Sequence, residues 1–239
     1  MNTKKMLLVF LMTSIFIINL SAQSKNAAVT GAWKIQEPDK EHVLIIQDGF
    51  FFHTAYNKAG KEFIFSQGGT YTIKGKELVA KIYFNTQNKE EVGKELDGAF
   101  SINGNTLNLT VNGETQNWDR LDKGTGPLAG IWRITSRMQD GKLTKIHQTG
   151  ARQTYKILSG TRFQWAAINP ETKEFSGTGG GTYTFSNGKY TESIEFFSRG
   201  NSRVGASLSF DGKLENGEWH HSGLSSKGDK IYEIWSRVK

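Results

Sequence analysis

The chain has 239 residues, a formal charge of +7 and no cysteine. The missing thiols exclude a disulfide framework, a thiolate metal site and a lipid-bearing cysteine. Lys and Arg are spread along the chain rather than gathered with interleaved aromatics, which argues against nucleic acid as a partner.

The first element is a targeting segment. Lys4 and Lys5 precede an apolar run from Met6 to Leu20, and Ser21-Ala22-Gln23 then turns polar. A basic start, a short apolar stretch and a small residue at the cut predict a signal peptide over residues 1–22. The run falls short of the roughly 20 residues that span a bilayer. No later segment is apolar enough, so the mature chain is expected to be exported, periplasmic or secreted, with no transmembrane segment.

An internal repeat follows. Gly31-Ala32-Trp33-Lys34-Ile35 recurs as Gly130-Ile131-Trp132-Arg133-Ile134. Lys61-Glu62-Phe63 with Gly68-Gly69-Thr70-Tyr71-Thr72 recurs as Lys173-Glu174-Phe175 with Gly180-Gly181-Thr182-Tyr183-Thr184. Trp118-Asp119-Arg120 recurs as Trp235-Ser236-Arg237. Three matches in one order divide the chain into copies over 29–122 and 128–239. The junction from Asp122 to Pro127 is rich in turn residues.

Each copy reads as short strands. In the second they are expected at 130–136, 153–158, 161–167, 181–186, 189–197, 203–210, 218–222 and 230–238. Asn187-Gly188, Asp211-Gly212 and Asn216-Gly217 are read as turns between them. Asp48-Gly49, Asn103-Gly104 and Asn112-Gly113 do the same in the first copy. The glycine stretch 177–181 precedes a strand and lacks the Lys-Ser/Thr of a phosphate loop, so a flexible loop at a barrel mouth is expected. Hairpin-ordered strands predict an all-β fold of two tandem antiparallel barrels, each of about eight strands.

A Gly-x-Trp on the first strand answered by an Arg on the last resembles the calycin signature of lipocalins and their relatives. The pattern is Gly31, Trp33 and Arg120 in the first copy, and Gly130, Trp132 and Arg237 in the second. The second copy also looks like bacterial secreted lipocalin-like domains at Phe163-Gln164-Trp165, at 179–183, at Tyr190-Thr191-Glu192 and at 233–237. The resemblance implies that each Arg packs across its Trp and closes one barrel end, a structural role. The helix and central motifs of typical lipocalins are absent.

Site candidates come from comparing the copies. Alternate residues of one strand read Leu78, Ala80, Ile82 and Phe84 in the first copy, but Tyr190, Glu192, Ile194 and Phe196 in the second. Glu192 is therefore expected inside the barrel where the first copy has Ala80. A buried carboxylate needs a partner. Glu192 is either a satisfied core group bonded to Tyr183, Trp165 or another inward donor, or the polar floor of a ligand pocket. Trp165, Tyr183, Tyr190, Phe196 and Trp219 could converge around it, as plain core or as a cavity wall.

The expected function is binding of a small apolar or amphipathic molecule in the second barrel, with Trp165, Tyr183, Tyr190, Glu192, Trp219 and Glu233 as candidate contacts. The alternatives are a calycin-type enzyme using Glu192 or Glu233 as acid or base, and a protein-interaction module with no internal ligand. No catalytic residue is assigned. His220 and His221 should face opposite sides of a strand, and His42, His53 and His147 have no partner at ligand spacing, so neither a metal nor a cofactor is expected. Haem ligation by His221 or His53 is left open.

Overall fold

The structure, a computed structural model, describes residues 26–146, 150–225 and 228–238. The span 1–22, expected to be a signal peptide, and His147 lie outside the described residues. Apart from a helical turn at residues 26–29 and a short 3-10 turn at Lys89–Glu91, the described chain consists of β-strands and the turns and loops that join them.

Barrel 1 is a closed antiparallel meander. Its strands are β1 (Gly31–Gln36), β2 (Glu41–Gln47), β3 (Phe50–Asn57), β4 (Glu62–Lys74), β5 (Glu77–Asn85), β6 (Glu95–Asn103), β7 (Thr106–Val111) and β8 (Glu114–Asp122), with β8 returning to β1. Barrel 2 repeats the plan with β9 (Gly130–Gln139), β11 (Gln153–Leu158), β12 (Arg162–Asn169), β13 (Glu174–Ser186), β14 (Lys189–Phe197), β15 (Ser207–Glu215), β16 (Glu218–Leu224) and β17 (Lys230–Arg237). The β9–β17 pairing closes it, and the short β10 (Lys142–Lys145) folds back on β9 outside the ring. Closure removes the unpaired edges of each sheet.

Turn chemistry sets the hairpins. Asp48, Asn112, Asn187 and Asn216 all have φ of 50–53°, and the glycine after each is also positive. Asn-Gly and Asp-Gly tolerate this double left-handed conformation, which matches the strand twist. Two readings need correction. Asp211-Gly212 is no turn but lies within β15, where a Cβ on Gly212 would press on Phe185. The glycine stretch 177–181 is no mouth loop either. It is the middle of β13, where chains pass so closely that a Cβ on Gly181 would sit 2.1 Å from the Ser193 carbonyl oxygen.

That close approach accompanies a register shift between Gly180 and Gly181, repeated between Gly68 and Gly69 in barrel 1. Bulges break strict alternation. Tyr190, Glu192 and Ile194 face the barrel interior as expected. Phe196 does not: with Phe84 it turns outward into the packing between the barrels.

Three apolar clusters result. One fills barrel 1 around Trp33, Leu107 and Trp118, and another fills barrel 2 around Trp132, Tyr190 and Trp219. The third joins the outer walls, with Val43, Ile45 and Phe52 against Ile157, Ala166 and Phe196. Polar groups lock this wall. Gln164 receives the Thr54 hydroxyl at 2.8 Å and donates to Ser66 at 2.8 Å and Thr178 at 3.0 Å. Glu195 takes Lys58 Nζ at 2.7 Å, Tyr56 Oη at 2.8 Å and the Arg162 guanidinium.

Each barrel is plugged at one end. Arg120 lies 3.8 Å over the Trp33 ring, and Arg237 lies 4.3 Å over Trp132. Both guanidinium groups donate to carbonyls of the segment entering the first strand, and each indole donates to a carbonyl four residues upstream. The stacking that the Gly-x-Trp and Arg pattern implies is thus present in both copies.

Candidate functional site

Barrel 2 contains a cavity of about 820 Å³. Its walls include Ile134, Phe163, Trp165, Ile194, Leu208 and Trp235. The size falls in the range of roughly 300–1,000 Å³ typical of small-molecule sites.

Strand pairing shows what distinguishes this interior from barrel 1. Trp33 pairs with Leu44 and Trp132 with Lys156, so Lys156 occupies the place of Leu44. Tyr71 pairs with Ala80 and Tyr183 with Glu192, so Glu192 occupies the place of Ala80, as the copy comparison implies. Further along, Leu109 and Gln116 become His221 and Glu233. Four charged or titratable groups therefore replace two aliphatic side chains, an alanine and a glutamine.

Glu192 finds its partner in Lys156. Nζ lies 2.7 Å from Oε1, and both side chains are about nine-tenths buried. The expected donors Tyr183 and Trp165 are not its partners. Tyr183 donates to the Ser159 carbonyl at 2.7 Å, which anchors the start of β12. The ammonium also stands 5.2 Å from the ring centres of Tyr190, Trp219 and Trp235 and 5.6 Å from Phe163. A lysine caged by four rings and paired with one carboxylate has both its stem and its charge accommodated.

Beside this pair, His221 Nδ1 lies 3.3 Å from Glu233, which also accepts the Trp235 indole N–H at 3.0 Å. Burial pushes the His221 pKa down, and Lys156 adds to this against the opposing carboxylates. Burial alone would raise Glu233, but the hydrogen bond and charge of His221, with Lys156, bring it below the ordinary carboxylate value. At neutral pH the group is a neutral imidazole beside a carboxylate. The Tyr190 hydroxyl is buried, and desolvation followed by the Glu192 charge raises its pKa well above the usual phenol value.

The candidate residues thus divide. Trp165, Glu192 and Glu233 line the cavity. Tyr183, Tyr190 and Trp219 belong to the apolar cluster packed behind it. His220 points away from His221 and pairs with Tyr232 Oη at 2.7 Å, as adjacent strand positions require. Among the described residues no three His, Cys, Asp or Glu side chains cluster as metal ligands do.

The second barrel, over residues 127–239, matches the family model described as a domain of unknown function, DUF4488. This DUF4488 span contains every residue that lines the cavity. No curated protein matches the chain. Among solved structures, a point mutant of the vaccine antigen Transferrin Binding Protein B from Haemophilus parasuis Hp5 is similar at 7% identity, with a TM-score of 0.19. The match covers 82% of this chain and 64% of that one, so this chain spans less than two thirds of that structure. A superposition of this quality carries no argument about partner or activity.

Sequence reasoning missed Lys156, although its position relative to Leu44 carries the signal. The strands Val43-Leu44-Ile45-Ile46 and Tyr155-Lys156-Ile157-Leu158 share one identical position, so the repeat is not visible there. It also missed four arginines around the cavity, Arg137, Arg152, Arg199 and Arg203. Among the described residues, the arginines that form ion pairs are Arg162 and Arg237, not these four. The pairing of His42 Nδ1 with His53 Nε2 at 3.1 Å was likewise unseen, because a hairpin brings together residues eleven apart.

Proposed function

We propose that the chain is an exported, lipocalin-like binding protein whose second barrel holds a small amphipathic molecule with an anionic group. The observation that carries this reading is the combination in one cavity of apolar walls and four arginines free of carboxylate partners among the described residues. Arginine forks suit carboxylates and phosphates, and charge-assisted bonds of this kind gain strength in partly desolvated sites. The apolar body would lie against Phe163, Trp165 and Ile194, and the Lys156–Glu192 pair would form the polar floor. Glu192 then acts with Lys156, and Trp165 and Glu233 complete the contacts. Tyr183, Tyr190 and Trp219 hold the floor in place from behind. Export through the 1–22 segment would place such a carrier where ligands arrive from outside the cell.

The test is a fluorescence titration of the mature chain with 11-(dansylamino)undecanoate. One saturable site is expected, and Arg152→Glu combined with Arg199→Glu should weaken it by about tenfold or more, as loss of charge-assisted contacts would. Absence of saturable binding, or equal affinity in the charge-reversed variant, would overturn the reading.

A further inference from the structure

The alternate residues Leu78, Ala80 and Ile82 give barrel 1 an apolar inner face, and that face borders a second cavity, of about 540 Å³. Aromatic and aliphatic side chains, including Phe51, Phe65, Tyr71 and Ile82, form its walls. The volume is again within the small-molecule range.

Two features make this cavity unlike the one in barrel 2. The first is charge. Among the described residues its lining includes no lysine or arginine, and the charged members are Glu91 and Glu114. Glu114 opens a strand at an exposed turn, and Glu91 is already bonded to Asn85 and Asn88. An anion entering here would meet no cation and two carboxylates. His53, which also lines the wall, is held neutral by burial and by His42 next to it. A buried charge without a counter-charge is costly.

The second feature is an orphan donor. Trp118 is 1% exposed and lines the cavity, and among the described residues its indole N–H has no hydrogen-bond partner. Its counterpart in barrel 2, Trp235, gives the same N–H to Glu233 at 3.0 Å. Barrel 1 has Gln116 in the place of Glu233, with its side chain exposed. Buried indole N–H groups normally find an acceptor, and leaving one unpaired costs free energy. Trp118 packs edge-on against His53, ring centres 5.0 Å apart, so its orientation is held.

We infer that barrel 1 is a second binding site, for an uncharged, largely apolar molecule whose oxygen acceptor takes the Trp118 N–H. The two barrels then differ by design of their interiors: one selects a charged amphipath, the other a neutral one. This site does not depend on the reading of barrel 2.

The neutral fluorophore prodan, which carries a single ketone oxygen on a naphthalene, suits the test. Titrated into the full mature chain, it should bind saturably with blue-shifted emission, and an excess of 11-(dansylamino)undecanoate should not displace it. Trp118→Phe keeps the ring but removes the donor, and should weaken prodan by roughly tenfold, the worth of one hydrogen bond. Ala80→Phe fills the cavity from β5 and should abolish binding, with the circular dichroism and melting temperature of both variants checked alongside. The proposal is overturned if prodan fails to bind saturably, if it is displaced by the dansylated acid, or if folded Ala80→Phe binds it unchanged. Failure of the dansylated acid itself to bind would count against the barrel 2 reading alone.

Discussion

Barrel 1 offers a natural design for dissecting the ion pair of barrel 2. Lys156→Leu and Glu192→Ala together install the Leu44 and Ala80 pattern at the equivalent positions. Singly, each change leaves an uncompensated charge with its side chain about nine-tenths buried. Breaking a buried pair from one side costs about 3–5 kcal/mol. The pair adjoins a cavity, so relaxation and water bring the single variants to or just below the bottom of that range, about 2–3 kcal/mol. The double variant removes both charges from an aromatic cage and should lie within about 1 kcal/mol of the parent. The coupling energy is then at least about 3 kcal/mol. Urea unfolding followed by circular dichroism measures all four proteins, provided that the m-values agree. Additive single effects, or a Lys156→Leu variant less than about 1 kcal/mol below the parent, would refute the claim that the two groups stabilise one another.

Other outcomes follow from the same structure. His53 is pushed down to about 3 by burial first and then by His42. The unfolded chain therefore takes up this proton below about pH 6.5 while the folded chain does not, so stability is full near pH 7 and falls with acid. Between pH 7 and pH 5 the loss should be about 2 kcal/mol, and His53→Phe should flatten that slope in urea melts. Asp122 accepts bonds from Ser159 Oγ, Gly160 N, Thr161 N and Oγ1 and Gly124 N, tying the linker to barrel 2. Burial raises its pKa, but these bonds outweigh that and hold it low. Its contribution is present above about pH 4, the unfolded value, and fades as pH falls through the lowered one. Asp122→Asn should cost about 1–2 kcal/mol at pH 7 and lose part of that acid sensitivity. Arg162→Met leaves Glu195 without its most buried cation at the wall between barrels. It should cost about 3 kcal/mol and split a single calorimetric transition into two.

The fold was legible because its signals are local and doubled. Asn-Gly and Asp-Gly at strand ends, and Trp and Arg at matching places in both copies, specify hairpins and plugs with no long-range information. Where the reading failed, a residue's role depended on a neighbour distant in sequence. Asp211-Gly212 has the composition of a turn, yet Phe185 across the sheet needs the missing Cβ of Gly212. Strict alternation puts Phe196 inside the barrel, and the register shift at Gly180 and Gly181 breaks that alternation. At the site, alternation and comparison of the copies put Glu192 inside but did not supply Lys156, whose strand has little identity with its counterpart. Arg199 and Arg203 share the loop after β14, but Arg137 on β9 and Arg152 before β11 join them only when the barrel closes.

Native mass spectrometry of the mature protein, purified from its own host without denaturation, bears most directly on barrel 2 as an anion-binding carrier. The expected result is a retained small molecule that carries an acidic group and is lost from the Arg152→Glu and Arg199→Glu double variant. A bare polypeptide mass from the parent, or a ligand held equally well by the charge-reversed protein, would contradict it.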